Sequence, residues 1–299
     1  MDIKTLRYFL TVAQEKNITR AAEKLFLAQP PLSRQMKLLE QELGVTLFIR
    51  GKRQIRLTEE GYYLKQQAEE IIYLLEKTEQ HLKRMGYSEN GIISIGATGT
   101  CCISIVAEII EQFHKIAPHI RFRTWTGDGD EIQEKLDKNL VDIGIVREPV
   151  KMENYDRVFL HSEPWGIICN AHHPLAQDGG DGIELSALEN VPLIVPSRQS
   201  IQDEINGWFN LISADRNIFC FYNSISSVLE LAERNVGVII CPENIRKFVN
   251  KENLAYKQIV NPLRESRVYI VKNRMQVMSA ALERFWQFAL DYAKKHIAP

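Results

Sequence analysis

Apolar positions recur along this chain with two different rhythms, and the change falls near residue 92. Before it, they return every three or four residues, the spacing of one buried helical face. In ITRAAEKLFLAQPPLSRQMKLLEQEL (18–43), Leu32, Met36, Leu39 and Leu43 define such a face. A shorter helix precedes it, with Thr19 as the expected N-cap and the small pair Ala21 and Ala22 permitting close packing of a neighbouring helix. Pro30 suits the first turn of the second helix, where its missing N–H is not needed. Beyond Gly44, Val45, Leu47 and Ile49 alternate, as do Ile55 and Leu57, which predicts a small β-hairpin. Then Gly61, Leu64, Ala68, Ile71, Leu75, Thr78, Leu82 and Met85 repeat at three and four, with no proline between 58 and 85. A sustained heptad of this kind predicts a long helix that pairs with a second copy, Gly61 and Ala68 allowing close approach. The alternative is an amphipathic helix packed on its own domain. Residues 85–91, rich in turn formers, predict a hinge.

From residue 92 the rhythm becomes that of strands alternating with helices. Strands are expected at 92–97, 121–126 and 141–146, with helices at 102–117 and 131–139. A second set follows, with strands at 165–169, 193–195, 218–221 and 238–241 and helices at 202–212 and 226–235. A strand at 267–272 and a helix at 279–295 close the chain. Such βαβ repetition implies parallel sheets with helices on their faces. Two α/β subdomains invite a ligand into the cleft between them, outside the carboxyl ends of the strands.

Charge sharpens the division. The net charge over 299 residues is −1, but residues 1–58 hold eleven Lys/Arg against five Asp/Glu, a local +6. Residues 59–86 hold four against six, and the remainder 22 against 27. A basic module on a mildly acidic body is what selective contact with a polyanion requires. Apolar content of 45% and charged content of 25% are those of a globular chain, and no apolar run is long enough to span a membrane. Asp2 lies within an amphipathic pattern rather than a signal peptide. The five cysteines are an odd number without metal-site spacing, so a reduced, cytoplasmic chain with no metal and no cofactor is expected.

Gln29, Pro30, Ser33, Arg34 and Lys37 fall opposite the apolar stripe of the second helix. An amide, a hydroxyl and two cations on one short face suit the major groove, because Arg bonds guanine bidentately and Gln bonds adenine. Arg50, Lys52 and Arg53 fall at the tip of the predicted hairpin, where a basic wing would reach phosphates or the minor groove. A solvated helix face and an ordinary turn are the plainer alternatives.

Taken together, LRYFLTVAQ (6–14), TRAAEKL (19–25), QPPLSRQMKLLEQELGVTLFIR (29–50) and LTEEG (57–61) resemble the winged helix–turn–helix of the LysR-type transcriptional regulators. The resemblance implies that Gln29, Pro30, Ser33 and Arg34 face the major groove of promoter DNA and that Arg53 approaches the minor groove. Ala28 stands where many members carry Ser or Thr, and Asn17 and Ile18 replace a common small–aromatic pair. DIGIV (142–146), HHPLA (172–176) and NVGVIICPE (235–243) match weaker landmarks of the family's effector domain, which resembles periplasmic binding proteins. The fold expected is therefore mixed: a winged helix–turn–helix at 1–58, mainly α with a β wing, and a dimerisation helix and hinge at 59–90. A two-lobed α/β effector domain follows at 91–299, with lobe I at 91–161 plus 268–299 and lobe II at 162–267. The expected partners are double-stranded operator DNA, a small-molecule effector, a second copy joined through 58–85, a further pairing to a homotetramer and RNA polymerase, but no membrane.

Candidate effector contacts follow strand ends. Thr98, Gly99, Thr100 and Cys101 lie between a strand and a helix N-terminus, where free N–H groups favour an anion. Thr126 and Asp128 follow the next strand, and Arg147 follows the third, placed to take a carboxylate. Ser197, Arg198, Ser200 and Asn223 would line the opposite lip. The alternative is that the hydroxyls cap helices and Arg147 pairs with a surface acid. The expected effector is a small organic acid, with an aromatic one favoured by the aliphatic residues flanking these loops. A redox sensor acting through Cys101 and Cys102 is the competing class, although peroxide-sensing relatives carry their cysteines in the segment matching 196–211, where this chain has none. No HExxH, GxSxG, P-loop or GxGxxG stands in the chain, so an enzyme is not expected.

Overall fold

The computed structural model describes residues 1–51, 54–83, 91–99, 102–177, 179–212, 215–249 and 252–296. The chain divides into two compact units, Met1–Gly86 and Tyr87–Pro299.

In the first unit, α1 (Ile3–Glu15) opens on Asp2, whose carboxylate accepts the Thr5 N–H at 2.7 Å. Helices α2 (Ile18–Lys24) and α3 (Gln29–Leu43) follow. The N-cap of α2 is Asn17, not Thr19: extended Asn17 turns its side-chain oxygen onto the N–H groups of Thr19 and Arg20, which leaves Thr19 inside the helix. Leu32, Met36 and Leu39 are buried with Leu6, Phe9, Val12, Ala21 and Ala22. Leu43 departs from the expected stripe and is 37% exposed, because it is the last residue of α3 and the chain turns away at Gly44. Strands β1 (Phe48–Arg50) and β2 (Ile55–Leu57) form an antiparallel pair. Of Val45, Leu47 and Ile49 only Leu47 is buried, and Phe48 beside it fills the same core. Ile49 faces solvent.

Helix α4 (Glu59–Lys83) is as long as the heptad predicts, but its N-terminal half serves its own unit. A Cβ on Gly61 would lie 2.3 Å from the Leu47 carbonyl oxygen, so the close approach that glycine permits is to the hairpin of the same chain. Ala68 and Ile72 are buried in the same cluster as Phe9 and Met36. The seam expected to begin at Gly61 and Ala68 is therefore occupied internally, and among the described residues Ile71 and Leu74 stay exposed, with Tyr62 and Tyr63 at the start of the helix. Met85 and the expected hinge at 85–90 lie outside the described residues.

The second unit contains β3 (Ile92–Thr98), α5 (Ile103–Ile116), β4 (Arg121–Gly127), α6 (Gly129–Asp137) and β5 (Ile143–Arg147). It continues through β6 (Tyr155–Asn170), α7 (Pro174–Gln177), β7 (Gly182–Glu184), β8 (Pro192–Pro196), α8 (Gln199–Leu211) and β9 (Asn217–Tyr222). Last come α9 (Leu229–Glu233), β10 (Val238–Pro242), β11 (Leu254–Asn261), β12 (Glu265–Asn273) and α10 (Ala280–His296). Strand order is β4-β3-β5-β12-β6-β10-β8-β9, with β11 pairing β6 and β7. The sheets are mixed rather than all parallel. β3, β4 and β5 are mutually parallel, as are β10, β8 and β9, but β6 and β12 run antiparallel to their neighbours.

The reason lies in β6, which belongs to both lobes. Residues 155–164 pair β12, and residues 165–170 pair β10 and β11. The first crossing thus falls between 164 and 165, inside one continuous strand, where the sequence placed it at 161/162. The return crossing lies between β11 and β12. The main apolar cluster is continuous across both lobes, running from Phe113, Phe285 and Ile270 to Ile194, Ile239 and Cys241, and a second one around Trp165, Trp208 and Phe209 lies within the second lobe. No helix among the described residues is long and apolar enough to cross a membrane.

Candidate functional site

The first candidate surface is the face of α3. Gln29, Pro30, Arg34 and Lys37 are exposed and Ser33 is half-buried, while Leu32 and Met36 on the opposite side anchor the helix. Among the described residues, neither Arg34 nor Lys37 is held by an ion pair or a side-chain hydrogen bond, and Ala28 provides no side-chain cap to α3. Glu40 sets the hairpin against this helix: its Oε1 accepts the N–H groups of Leu47 and Phe48 at 2.8 and 3.1 Å. Thr58 adds a bond from its hydroxyl to the Thr46 carbonyl at 2.7 Å. Two buried donors are thereby satisfied by one carboxylate, which fixes the hairpin relative to α3. Glu40 gives no sign of this in the sequence, because a Glu on an amphipathic helix reads as solvated surface. Arg50 ends β1, but its side chain, like Lys52 and Arg53, lies outside the described residues.

The second site is a cavity of about 330 Å³ between the two lobes of the second unit. Thr98, Gly99, Thr126, Asp128, Arg147, Ser197 and Asn223 line it, as the strand-end argument expects. Thr100 and Cys101 lie outside the described residues. Ser200 is not among the lining residues; its hydroxyl is buried within α8 without a hydrogen-bond partner. Sequence reasoning missed the apolar wall: Trp165, Ile201, Tyr222, Ile225, Pro242 and Ile245. No periodicity distinguishes a cavity-lining apolar residue from a core one, so the sequence carried no signal for them.

The polar groups are used differently from expectation. The Gly99 N–H, expected to be free, donates to the Gly127 carbonyl at 2.9 Å. The Thr98 hydroxyl lies 3.4 Å from both the Cys102 sulfur and the Ile145 carbonyl oxygen, directed into the protein. Asp128 caps α6, accepting from Asp130 and Glu131 N–H groups at 2.9 Å, and Glu131 reaches back to the Asp128 N–H. This capping box covers the positive end of α6 with a carboxylate, which disfavours an anion there.

Arg147 is the largest departure. Its guanidinium pairs with Glu163, and both side chains are buried, at 8% and 3% exposure. Glu163 also accepts the Asn244 N–H at 2.7 Å. The charge expected to await a ligand is compensated from within, and by a buried acid rather than a surface one. A second arginine stands in the cavity. Arg198, the N-cap residue of α8 in the second lobe, donates to Asp130 of α6 in the first lobe at 2.6 Å. Its side chain is only 10% exposed, whereas that of Asp130 is 70% exposed. The adjacent guanidinium holds the Asp130 carboxyl below the usual range.

Among the described residues no cysteine forms a disulfide: Cys102, Cys169 and Cys241 are buried, and burial pushes the Cys169 thiol up to about 11. Cys102 lies in the first-lobe core, away from the exposure that a reactive thiolate needs.

Comparison with known proteins agrees with both units. Residues 3–62 match the family model for the bacterial regulatory helix-turn-helix protein of the lysR family, and residues 87–294 match that for the LysR substrate binding domain. The HTH-type transcriptional regulator BsdA of Bacillus subtilis is 31% identical over 248 residues, covering 81% of this chain and 84% of that protein. The HTH-type transcriptional regulator BenM of Acinetobacter baylyi is 27% identical, covering 92% and 91%. The crystal structure of CbnR, a LysR family transcriptional regulator, shares the fold with a TM-score of 0.76 at 23% identity, over 98% of this chain and 99% of that one. With the helix–turn–helix in one unit and the two-lobed cavity in the other, the chain belongs to the LysR family of DNA-binding transcriptional regulators.

Proposed function

We propose that this protein reads an operator with the exposed face of α3 and adjusts transcription in response to a small organic acid held between the two lobes. The observation that carries the effector class is the composition of the cavity. One wall is apolar and aromatic, through Trp165, Ile201, Tyr222 and Ile225, and the lining includes two arginines. An acid with an apolar body, aromatic or short aliphatic, matches a pocket with a few convergent polar groups in an apolar wall. Gln29, Pro30, Ser33 and Arg34 read bases, Lys37 takes phosphate, and Arg50, Lys52 and Arg53 form the wing contact. Two copies joined through the exposed part of α4, at Ile71 and Leu74, would present two heads to half-sites on neighbouring helical turns, and two such dimers would complete a tetramer. The working compartment is the cytoplasm, where operator and polymerase are found. Acid binding biases the lobe arrangement, and the bias is passed to DNA affinity by linkage.

A thermal-shift series on the full chain tests the effector class. Benzoate, phenylacetate and hexanoate should raise the melting temperature, and their neutral amides should not. Stabilisation by cations or metals alone would overturn it.

A further inference from the structure

The cavity holds two arginines, and their surroundings differ in a way that assigns them different tasks. Arg147 is buried against a buried carboxylate that also takes a backbone N–H, so a ligand would have to break a compensated pair to use it. Arg198 is equally enclosed, but the carboxylate that pairs with it among the described residues, Asp130, lies mostly in water. The Arg198 Nε–H is buried without a hydrogen-bond partner, and the same holds for the indole N–H of Trp165, another lining residue. Both donors lie behind the cavity wall, shut from solvent and without an acceptor, so the polar demand of Arg198 is not fully met by Asp130. Asp130 contributes one oxygen to the rim of this arrangement and leaves the inner donor unmet. Gly129 makes room for it: a Cβ there would lie 2.4 Å from Nη1 and 2.7 Å from Cζ of Arg198.

We propose that Arg198, rather than Arg147, receives the anionic group of the effector, and that the incoming anion takes Arg198 from Asp130. This rests on the organic-acid reading of the cavity. Because Asp130 belongs to the first lobe and Arg198 to the second, the exchange removes a contact that ties the lobes together. The acid is thus selected and sensed by the same side chain. A neutral isostere would fill the apolar wall without displacing Asp130, so it would bind without switching.

Calorimetric titration of the full chain with benzoate, phenylacetate and hexanoate, each against its amide, tests this. Arg198→Gln should weaken acid binding at least about tenfold and abolish the preference for acid over amide, since a charge-assisted bond is lost. Arg198→Lys should recover part of it. Asp130→Asn, at an exposed position, should tighten acid binding about two- to fivefold by removing the competitor. Gly129→Ala should weaken it by pushing the guanidinium aside with its charge intact. Equal acid affinity in the wild type and Arg198→Gln, or no gain in Asp130→Asn, would overturn the proposal while leaving the organic-acid reading standing. If no acid binds the wild type better than its amide, both fall. Thermal melts of each variant separate loss of binding from loss of fold.

Discussion

The exposed face of α3 and the cavity of the second unit both carry arginine, yet they store its charge in opposite ways. Arg34 stands in solvent with no internal counter-ion among the described residues, whereas Arg147 and Arg198 are enclosed and each faces a carboxylate. Water solvates an exposed guanidinium at no structural cost, so on the proposed reading the α3 face can keep its charge bare until phosphate or guanine replaces that water. An enclosed cavity cannot do so. A buried cation without a partner costs several kcal/mol, so the chain must supply a stand-in anion that the ligand either leaves alone or displaces. The contrast makes removal of Arg34 an effect on binding, and disturbance of the Arg147 pair an effect on folding.

The largest expected effect tests the enclosed side. Glu163→Gln leaves the Arg147 guanidinium buried without its counter-charge and should cost about 3–5 kcal/mol in urea unfolding of the second unit. A loss below about 1 kcal/mol would mean that water reaches Arg147 and that the contrast with Arg34 is false. Gly61→Ala should come next. Its new Cβ would lie 2.3 Å from the Leu47 carbonyl, and the forced shift should destabilise the first unit by about 1–3 kcal/mol. An unchanged melting point with a weaker dimer would return Gly61 to the seam between copies. On the exposed side, Arg34→Ala should cost about 1–3 kcal/mol in operator affinity, relax preference at one base position and leave thermal stability unchanged. Equal loss on specific and random duplexes would make Arg34 a phosphate contact. The smallest effect distinguishes the two readings of the α2 cap: Asn17→Ala should cost about 1 kcal/mol of stability, and Thr19→Ala less than half of that.

What the sequence made legible follows from where the chain has only local rules to obey. Helices α2 and α3, the hairpin and α4 obey a 3.6-residue or two-residue period over short spans and were readable, whereas α1 was not read as a helix. The differences there came from competing caps two residues apart, as at Asn17 and Thr19, and from an apolar stripe that could face its own unit or another copy. In the second unit β3, β5, β8 and β10 are near-continuous apolar runs and declared themselves. Residues 155–164 of β6 did not, because YDRVFLHSEP mixes charged and apolar residues on a strand that crosses between lobes. Strand ends placed eight of the eleven candidate residues on the cavity wall, since that is a matter of topology. Which charged group answers which was not legible. Arg147 meets Glu163 sixteen residues away, and Arg198 meets Asp130 across 68 residues, pairings that only the folded sheets create.

On the proposed function, occupancy of the enclosed cavity changes the affinity of the exposed α3 face for DNA. The most direct measurement takes duplexes selected from a random library by the full chain and titrates them with and without a saturating carboxylate. Coupling requires the operator affinity to change, and the operator to change the acid affinity by the same factor. Identical operator affinity and footprint with the cavity empty and with it saturated would contradict the account.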